Sequence, residues 1–160
     1  MSQNPAQFFS KTRQYLVVGA SSNPIKFGFR VLHWYCRHSL PVIPINPSSR
    51  EIHDIQTSDN VHDAWNRIVK SGVNYDGLSI SFITPPNVTR DVLQSIKNDD
   101  TQLSEKIKGV WFQPGSYDSK VLQLAQELGI GSVLAYGDCI LVEGESLLRE
   151  ASDEEAAAKF

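Results

Sequence analysis

The 160-residue chain contains very little cysteine, with Cys36 and Cys139 as its only two. Two cysteines cannot build the disulfide framework of a small secreted protein, and their spacing is not that of metal ligands. Long apolar runs are also absent, since none approaches the roughly 20 residues that a membrane-spanning helix needs. The short stretch before the first predicted strand has no signal-peptide core, and it is shorter than a typical mitochondrial transit peptide. These absences predict a reduced, cytoplasmic setting and no membrane partner.

Acidic residues are absent from the first 50 positions, and the first one is Glu51. The same stretch carries six basic residues, which are Lys11, Arg13, Lys26, Arg30, Arg37 and Arg50. A local excess of positive charge favours an anionic ligand, although chance surface composition explains it equally well. The basic residues are too sparse for nucleic acid, and no aromatic-interleaved patch accompanies them. We therefore expect a small anionic ligand and no nucleic-acid partner.

Apolar and β-branched runs alternate with helical periodicity along one domain of ordinary globular composition. The predicted strands are Tyr15–Val18, Val42–Ile45, Asp76–Ile83, Gly109–Phe112 and Gly131–Ala135. The predicted helices are Pro24–His38, Val61–Val69, Val88–Lys97, Ser116–Leu128 and Glu143–Glu150. This alternation predicts an α/β fold with a doubly wound, parallel five-stranded sheet. The domain is expected over residues 14–150, after a leader (1–13) and before an acidic tail (151–160) that should fray.

The first predicted helix has the clearest start signal, because Asn23 suits an N-cap and Pro24 suits the first helical position. Its predicted buried stripe consists of Ile25, Phe29, Leu32 and Cys36. The adjacent Trp34-Tyr35 pair is a candidate contact for a homo-oligomer or a protein partner.

The loop between the first strand and the first helix is the main candidate site. Small residues from Gly19 to Ser22 leave the backbone open, so free N–H groups and a helix dipole can meet a phosphate. Lys26, in the predicted first turn, opposes the helix dipole unless an anion is present. Both features favour a phosphorylated ligand.

The same loop lacks two glycines of the dinucleotide fingerprint, because Ser21 and Pro24 occupy their positions. The end of the second strand, Asn46 to Arg50, also lacks the acidic residue that holds the ribose hydroxyls of NAD. A neutral and basic strand end tolerates a phosphorylated ribose. The residues therefore favour NADP or coenzyme A over NAD.

Five short motifs, in order over residues 15 to 148, resemble the small stand-alone CoA-binding proteins. That family is similar to the CoA-binding Rossmann domain of the succinyl-CoA synthetase alpha subunit. The motifs are Val17-Val18-Gly19-Ala20-Ser21, Pro44-Ile45-Asn46-Pro47 with Glu51-Ile52, Pro85-Pro86, Trp111-Phe112-Gln113-Pro114-Gly115, and Cys139-Ile140 with Glu143. One departure is Gly137-Asp138-Cys139, where the family often has Asp-Arg-Cys.

The resemblance implies that coenzyme A or an acyl-CoA lies across the strand ends. By analogy, the phosphates would be held by Gly19, Ala20, Ser21, Ser22 and Lys26. Asn46 and Arg50 would lie near the ribose or its 3′-phosphate. Thr84, Pro85 and Pro86 would form a wall beside the adenine or the pantetheine.

Two further residues have open roles. Cys139 either meets the thiol end of a pantetheine arm or is a small buried apolar residue, and the second reading is favoured. Gln113 either orients a ligand or belongs to a Gln-Pro-Gly turn.

The sequence shows no pattern of metal binding or catalysis. The four histidines share no metal-ligand spacing, and no nucleophile can be paired with a base. The expected function is binding without catalysis; the alternatives are an NADP-dependent oxidoreductase and an interaction protein that keeps only the architecture.

Overall fold

The computed structural model describes residues 5–99, 101–137 and 139–158, and it confirms the predicted parallel five-stranded sheet. In chain order the strands are β1 (Arg13–Val18), β2 (Val42–Ile45), β3 (Glu51–Ile52), β4 (Ile55–Gln56), β5 (Gly77–Phe82), β6 (Ile107–Phe112) and β7 (Ser132–Leu134). The main sheet has the order β2-β1-β5-β6-β7, and all its strands are parallel. Strands β3 and β4 form a separate antiparallel hairpin.

Helices cover both faces of the sheet. They are α1 (Phe27–Arg37), α2 (Val61–Ser71), α3 (Pro86–Lys97), α4 (Leu103–Lys106), α5 (Ser119–Glu127) and α6 (Ile140–Ala157), with a short 3₁₀ turn at Pro5–Phe8. Helices α1 and α6 pack with the 3₁₀ turn on one face, and α2, α3 and α5 lie on the other. Alternation along β1 supplies both cores, since Tyr15 and Val17 point to the first face and Leu16 and Val18 to the second.

The chain order creates a crevice at one edge of the sheet. From β1 the chain passes to β2 on one side, and it then crosses to β5 on the other side of β1. Val18 pairs with Ile45 and with Phe82, and Phe82 pairs with Phe112, so four strands end at one level. A doubly wound sheet binds ligands outside the carboxyl ends of its strands at such a reversal of strand order. We call this edge the carboxyl edge.

The start of α1 differs from the prediction. The helix begins at Phe27 with Lys26 as its N-cap, so Asn23 does not cap it. Asn23 instead organises a turn before the helix, in which its side-chain oxygen accepts a hydrogen bond from the Ile25 N–H at 3.0 Å. Ile25 is 87% exposed and is therefore not part of the buried stripe, whereas Leu32 is fully buried. This local Asx turn competes with the helix for the same backbone groups.

Two other predictions are corrected by packing. Trp34 and Tyr35 are buried in the core beneath α1, so this pair does not form an exposed contact surface. Helix α6 begins at Ile140 and continues to Ala157, so most of the acidic tail is helical where fraying was predicted. At the other end, Phe8 and Phe9 of the predicted leader are buried against Tyr15 and Trp111. Trp111 is a core residue, as predicted.

Candidate functional site

The loop from Gly19 to Lys26, here called the β1–α1 loop, leaves β1 through a residue that must be glycine. Gly19 has a φ of +97°, which side chains rarely adopt. A Cβ there would also lie 3.1 Å from the backbone nitrogen of Thr84 and 3.3 Å from Cβ of Ile83. The loop therefore passes directly over the end of β5, at the reversal of strand order.

Gly28 lets the start of α1 approach the same loop. A Cβ on Gly28 would lie 2.2 Å from the Gly19 carbonyl oxygen and 3.2 Å from the Ser21 nitrogen. The N–H of Phe29 already donates to the Lys26 carbonyl at 3.1 Å, so the N–H groups of Phe27 and Gly28 are the first-turn donors that α1 can offer beside the loop. The close approach that Gly28 allows is therefore to the loop backbone.

Ser21 and Asn23 give the loop its local shape. The hydroxyl of Ser21 accepts a hydrogen bond from the Asn23 N–H at 3.1 Å, and the Asn23 carbonyl accepts one from Lys26 N–H at 3.0 Å. The Lys26 side chain is exposed and makes no capping hydrogen bond. Ser22 is also exposed. A flexible ammonium at this N-cap can reach an anion in front of the loop.

Asn46 joins the end of β2 to the β1–α1 loop. Its side-chain amide donates to the Ala20 carbonyl at 2.9 Å. Its side-chain oxygen accepts from Ser48 N–H at 2.7 Å and from Ser49 N–H at 3.0 Å. The side-chain amide of Asn46 therefore connects the β1–α1 loop to the loop after β2. The same amide nitrogen and oxygen are the atoms with which Asn46 would otherwise bind a ligand.

A cavity of about 300 Å³ lies where these loops meet, and we call it the switch-point cavity. Gly19, Ala20, Asn46 and Thr84, all predicted from the sequence, lie on its wall. Apolar side chains from the strand ends and from α2 and α3 complete much of it, namely Val18, Ile45, Val61, Val88 and Val92. The hydroxyl of Thr84 is already bonded to that of Thr89 at 2.8 Å. The cavity suits a flat, largely uncharged group.

Asp59 is a cavity residue that the sequence reading missed. A short parallel bridge pairs Ser58 with Ile45, and the Asn46 N–H donates to the Ser58 carbonyl at 3.0 Å. The chain therefore returns to the end of β2 after the β3–β4 hairpin and places Asp59 in the cavity wall. The sequence does not predict this position of Asp59, because the β3–β4 hairpin separates it from the end of β2 along the chain.

Arg50 lies in a neighbouring surface groove of about 610 Å³ rather than in the switch-point cavity. The groove and the cavity share Pro47 and Asp59 in their walls, so they adjoin each other near the end of β2. Pro85 is the exposed N-cap of α3, and Pro86 is half-buried at the first position of that helix. None of these three residues lines the switch-point cavity.

Gln113 is completely buried at the end of β6 and connects that strand to α6. Its side-chain oxygen accepts a hydrogen bond from the Ile140 N–H at 2.9 Å, and its backbone N–H donates to the Phe82 carbonyl at 3.1 Å. Within the described part of the chain, the Gln113 side-chain nitrogen and the Ser116 hydroxyl have no hydrogen-bond partner. Gln113 thus has a positioning role at the start of α6.

The two cysteines occupy different environments. Cys139 is the half-buried N-cap of α6 at the carboxyl edge. The preceding Asp138, where the sequence departs from the family pattern, lies outside the described residues. Cys36 lies within α1, where burial raises the pKa of its thiol above the usual range. Raising the pKa makes Cys36 a poorer nucleophile at neutral pH.

Another cavity, of about 900 Å³, lies at the opposite edge of the sheet. It is bounded by the 3₁₀ turn, by the start of β1 at Arg13 and by the end of α6. The guanidinium of Arg13 is already bonded to Asp76 at 2.8 Å and to the Ser79 hydroxyl at 2.9 Å. Burial raises the pKa of Asp76, but hydrogen bonds and the charge of Arg13 outweigh burial and lower it. Because it lies at the start of β1, this cavity is away from the carboxyl ends of the strands, where doubly wound sheets bind ligands.

The described residues contain neither a metal-binding cluster nor a membrane-spanning helix. Among residues 5–99, 101–137 and 139–158, no group of three or more His, Cys, Asp or Glu side chains is placed to hold a metal ion. In the same ranges no helix combines the length and the apolar character needed to cross a bilayer.

The parallel sheet with helices on both faces and a glycine-lined crevice at its carboxyl edge define a Rossmann-like α/β domain. The chain belongs to the CoA binding domain family, whose profile matches residues 13–145. A search of curated proteins gave no significant match.

Three solved structures are similar to this chain. A conserved hypothetical protein from Pyrococcus furiosus is 27% identical, with 82% of this chain and 98% of that one covered and a TM-score of 0.64. A hypothetical protein from Pyrococcus horikoshii OT3 is 23% identical, with 86% and 85% covered and a TM-score of 0.66. The cell-free ID.343 protein from Thermus thermophilus is 20% identical, with 88% and 94% covered and a TM-score of 0.67. The last two likenesses concern the fold alone.

Proposed function

We propose that the protein binds coenzyme A or an acyl-CoA at the carboxyl edge, with the ligand phosphates at the β1–α1 loop. The observation that carries the proposal is the contact at Gly28, where only a glycine allows the first turn of α1 to meet the loop backbone. That contact brings the first turn of α1, with the positive end of its dipole, against the loop backbone, and such an arrangement suits a pyrophosphate. Ala20, Ser21 and Ser22 supply the loop backbone, and Lys26 supplies a positive charge.

The other site residues would contact different parts of the ligand. The switch-point cavity, with Thr84 on its wall, takes the adenine, because its lining is largely apolar and it is too small for a whole nucleotide with its phosphates. Arg50, in the adjoining groove, meets the 3′-phosphate of the ribose. Asn46 acts through the backbones that it holds, since its own amide is already bonded to Ala20, Ser48 and Ser49.

A binding role without catalysis fits the side chains around the cavity. The amide of Asn46 and the hydroxyl of Thr84 are engaged in internal hydrogen bonds. Asp59 and Ser95 also line the cavity, and the Ser95 hydroxyl donates to the Val92 carbonyl at 2.7 Å. We propose a carrier, sensor or accessory role in a reduced, cytoplasmic setting.

The second candidate ligand is a dinucleotide, and the observation that favours it is the position of Asp59 in the cavity wall. A carboxylate at the end of the second strand is the group that binds ribose hydroxyls in NAD proteins. The sequence-based argument against NAD depended on the lack of such a group at that strand end. Asp59 would favour NAD over NADP, because a carboxylate repels a 2′-phosphate.

A thermal-shift series with coenzyme A, dephospho-coenzyme A, NAD and NADP tests the proposal. A ligand at about 100 times its dissociation constant should stabilise the protein by about 2.7 kcal/mol. We expect the largest rise in melting temperature with coenzyme A, and a smaller rise with dephospho-coenzyme A, which lacks the 3′-phosphate. A rise with NAD and none with coenzyme A would overturn the proposal in favour of the dinucleotide.

Lys26→Ala should weaken coenzyme A binding and reduce its dependence on salt. The exposed ammonium contributes mainly a screened charge interaction, so we expect a loss of about fivefold to tenfold in affinity at low salt. The matched control is Lys70→Ala in the last turn of α2, which should leave the affinity unchanged. Titration at two salt concentrations measures both effects, and an unchanged affinity for Lys26→Ala would remove this residue from the site.

A further inference from the structure

Tyr136, two residues after β7, has a backbone conformation that aromatic residues rarely adopt. Its φ is +66°, in the left-handed region, where a Cβ crowds the following carbonyl oxygen and costs free energy. Strain of this kind persists only where the surrounding structure enforces it, and it concentrates at positions that bind ligands. The other non-glycine residues with a positive φ in the described parts of the chain are polar, namely Ser39, His53, Asp54 and Gln102.

Tyr117, in the loop between β6 and α5, holds Tyr136 in this conformation. The Tyr117 hydroxyl oxygen accepts a hydrogen bond from the Tyr136 N–H at 2.9 Å. The two rings also meet edge to face, with their centroids 5.6 Å apart. Tyr117 is itself half-buried and packs against the ring of Phe112 in the core. The position of Tyr136 is therefore set by a neighbour that the core holds in place.

Most of the Tyr136 side chain is nevertheless open to solvent. Tyr136 is 72% exposed, and of the Phe, Trp and Tyr residues that the structure describes it is the only exposed one. Packing in the core does not explain an exposed ring in a strained conformation. A rigid aromatic side chain offers an apolar group a large contact area at a small cost in conformational entropy.

Tyr136 lies at the carboxyl edge, level with the β1–α1 loop. The register that aligns Val18 with Phe112 through β5 pairs Leu134 with the residue before Phe112. Tyr136 is therefore level with the residue after Val18, and the three strand spacings between them amount to about 14 Å. The pantetheine arm of coenzyme A is as long as about four extended residues, which is roughly 14 Å. A ligand with its phosphates at the β1–α1 loop can therefore bring its sulfur beside Tyr136.

The charge beside Tyr136 is negative. A Cβ on Gly137 would lie 3.0 Å from Oε2 of Glu143, so this carboxylate lies against the backbone that follows Tyr136. A carboxylate here repels an acyl group that carries a carboxylate of its own. The surroundings of Tyr136 therefore favour an uncharged acyl group.

We propose that the ligand is an acyl-CoA with an apolar acyl group, and that this group packs on the ring of Tyr136. The inference rests on the proposed function, because phosphates at the β1–α1 loop set the position of the thioester. The acyl group and the ring remove apolar surface from water when they meet, which a free thiol does not. Tyr136 thus distinguishes an acyl-CoA from coenzyme A.

Titration calorimetry with coenzyme A, succinyl-CoA, hexanoyl-CoA and benzoyl-CoA tests this preference. We expect hexanoyl-CoA and benzoyl-CoA to bind about fivefold more tightly than coenzyme A, the effect of one aromatic contact. Succinyl-CoA, which carries a carboxylate, should bind no more tightly than coenzyme A. Binding of coenzyme A without a preference for the two apolar thioesters would overturn this inference alone. A folded protein that binds none of the four compounds would refute the proposed function as well.

Tyr136→Gly removes the ring from a backbone position that glycine adopts without strain. The variant should remain folded by circular dichroism and bind coenzyme A as the wild type does, but it should lose the preference for the apolar thioesters. Tyr136→Asn should behave in the same way, because asparagine also tolerates the left-handed region. The matched control is Val73→Ser, which removes an apolar side chain that is 53% exposed two residues after α2, and it should keep the preference.

Two results with these variants would contradict the role of Tyr136. One is a preference for hexanoyl-CoA and benzoyl-CoA that persists in Tyr136→Gly and Tyr136→Asn. The other is a loss of coenzyme A affinity as large as the loss for the two apolar thioesters, since that would mean that the substitutions disturb the whole site and not the contact with the acyl group.

Discussion

Gly28→Ala is expected to weaken coenzyme A binding by at least about a hundredfold, which corresponds to about 2.8 kcal/mol. The added methyl group would lie 2.2 Å from the Gly19 carbonyl oxygen, a distance that no relaxed structure tolerates. Since the neighbour is backbone, either α1 or the β1–α1 loop must move. Backbone donors that face one phosphate position would then no longer converge. We expect an accompanying loss of about 1–3 kcal/mol in unfolding free energy, as for other overpacked sites.

The matched control for this change is Gly131→Ala. A Cβ on Gly131 would have only the Lys108 carbonyl oxygen near it, at 3.9 Å, and this position is at the amino end of β7. Gly131→Ala should keep the affinity of the wild type. If Gly28→Ala remained folded by circular dichroism and bound coenzyme A as tightly as the control does, the β1–α1 loop would not be the phosphate site.

Gln113→Leu is expected to lower the free energy of unfolding by about 1–3 kcal/mol, the usual cost of leaving a buried polar group without a partner. Leucine fills nearly the same volume, but it cannot accept the hydrogen bond from Ile140 N–H, which is buried with its residue. The start of α6 would lose its hydrogen bond to the residue that follows β6. Chemical denaturation monitored by circular dichroism measures the effect.

Two control variants distinguish the loss of the hydrogen bond at position 113 from the general effect of replacing a glutamine. Gln126→Leu changes an exposed glutamine on α5 and should alter the stability little. Gln113→Glu keeps the acceptor for Ile140 N–H, so any loss it causes reflects a buried charge and not the missing hydrogen bond. If Gln113→Leu were as stable as the wild type, the hydrogen bond to α6 would not hold that helix in place.

Much of the fold could be predicted because its signals are local. The apolar run of β2 was predicted with its observed bounds, Val42–Ile45, since Pro41 and Asn46-Pro47 limit it on both sides. The start of α1 could not be predicted in the same way. Asn23 and Pro24 suit a helix N-terminus, but they also suit the turn that Asn23 closes with Ile25. Sequence alone does not decide between two local hydrogen-bond patterns of similar energy.

The candidate site was predictable where it follows from strand ends. Gly19, Asn46 and Thr84 come together because parallel strands present their carboxyl ends at one edge. Asp59 and the Gln113–Ile140 hydrogen bond were missed, because both depend on segments that meet only in the folded chain. The identity of the ligand depends on such non-local groups, which explains why the residues alone left coenzyme A and a dinucleotide open.

Isothermal titration of the wild-type protein with coenzyme A, followed by NAD and NADP under the same conditions, tests the central claim most directly. The account predicts one coenzyme A bound per chain, with weaker binding of both dinucleotides and displacement of either by coenzyme A. Saturable binding of NAD or NADP by a folded protein that does not bind coenzyme A would contradict it.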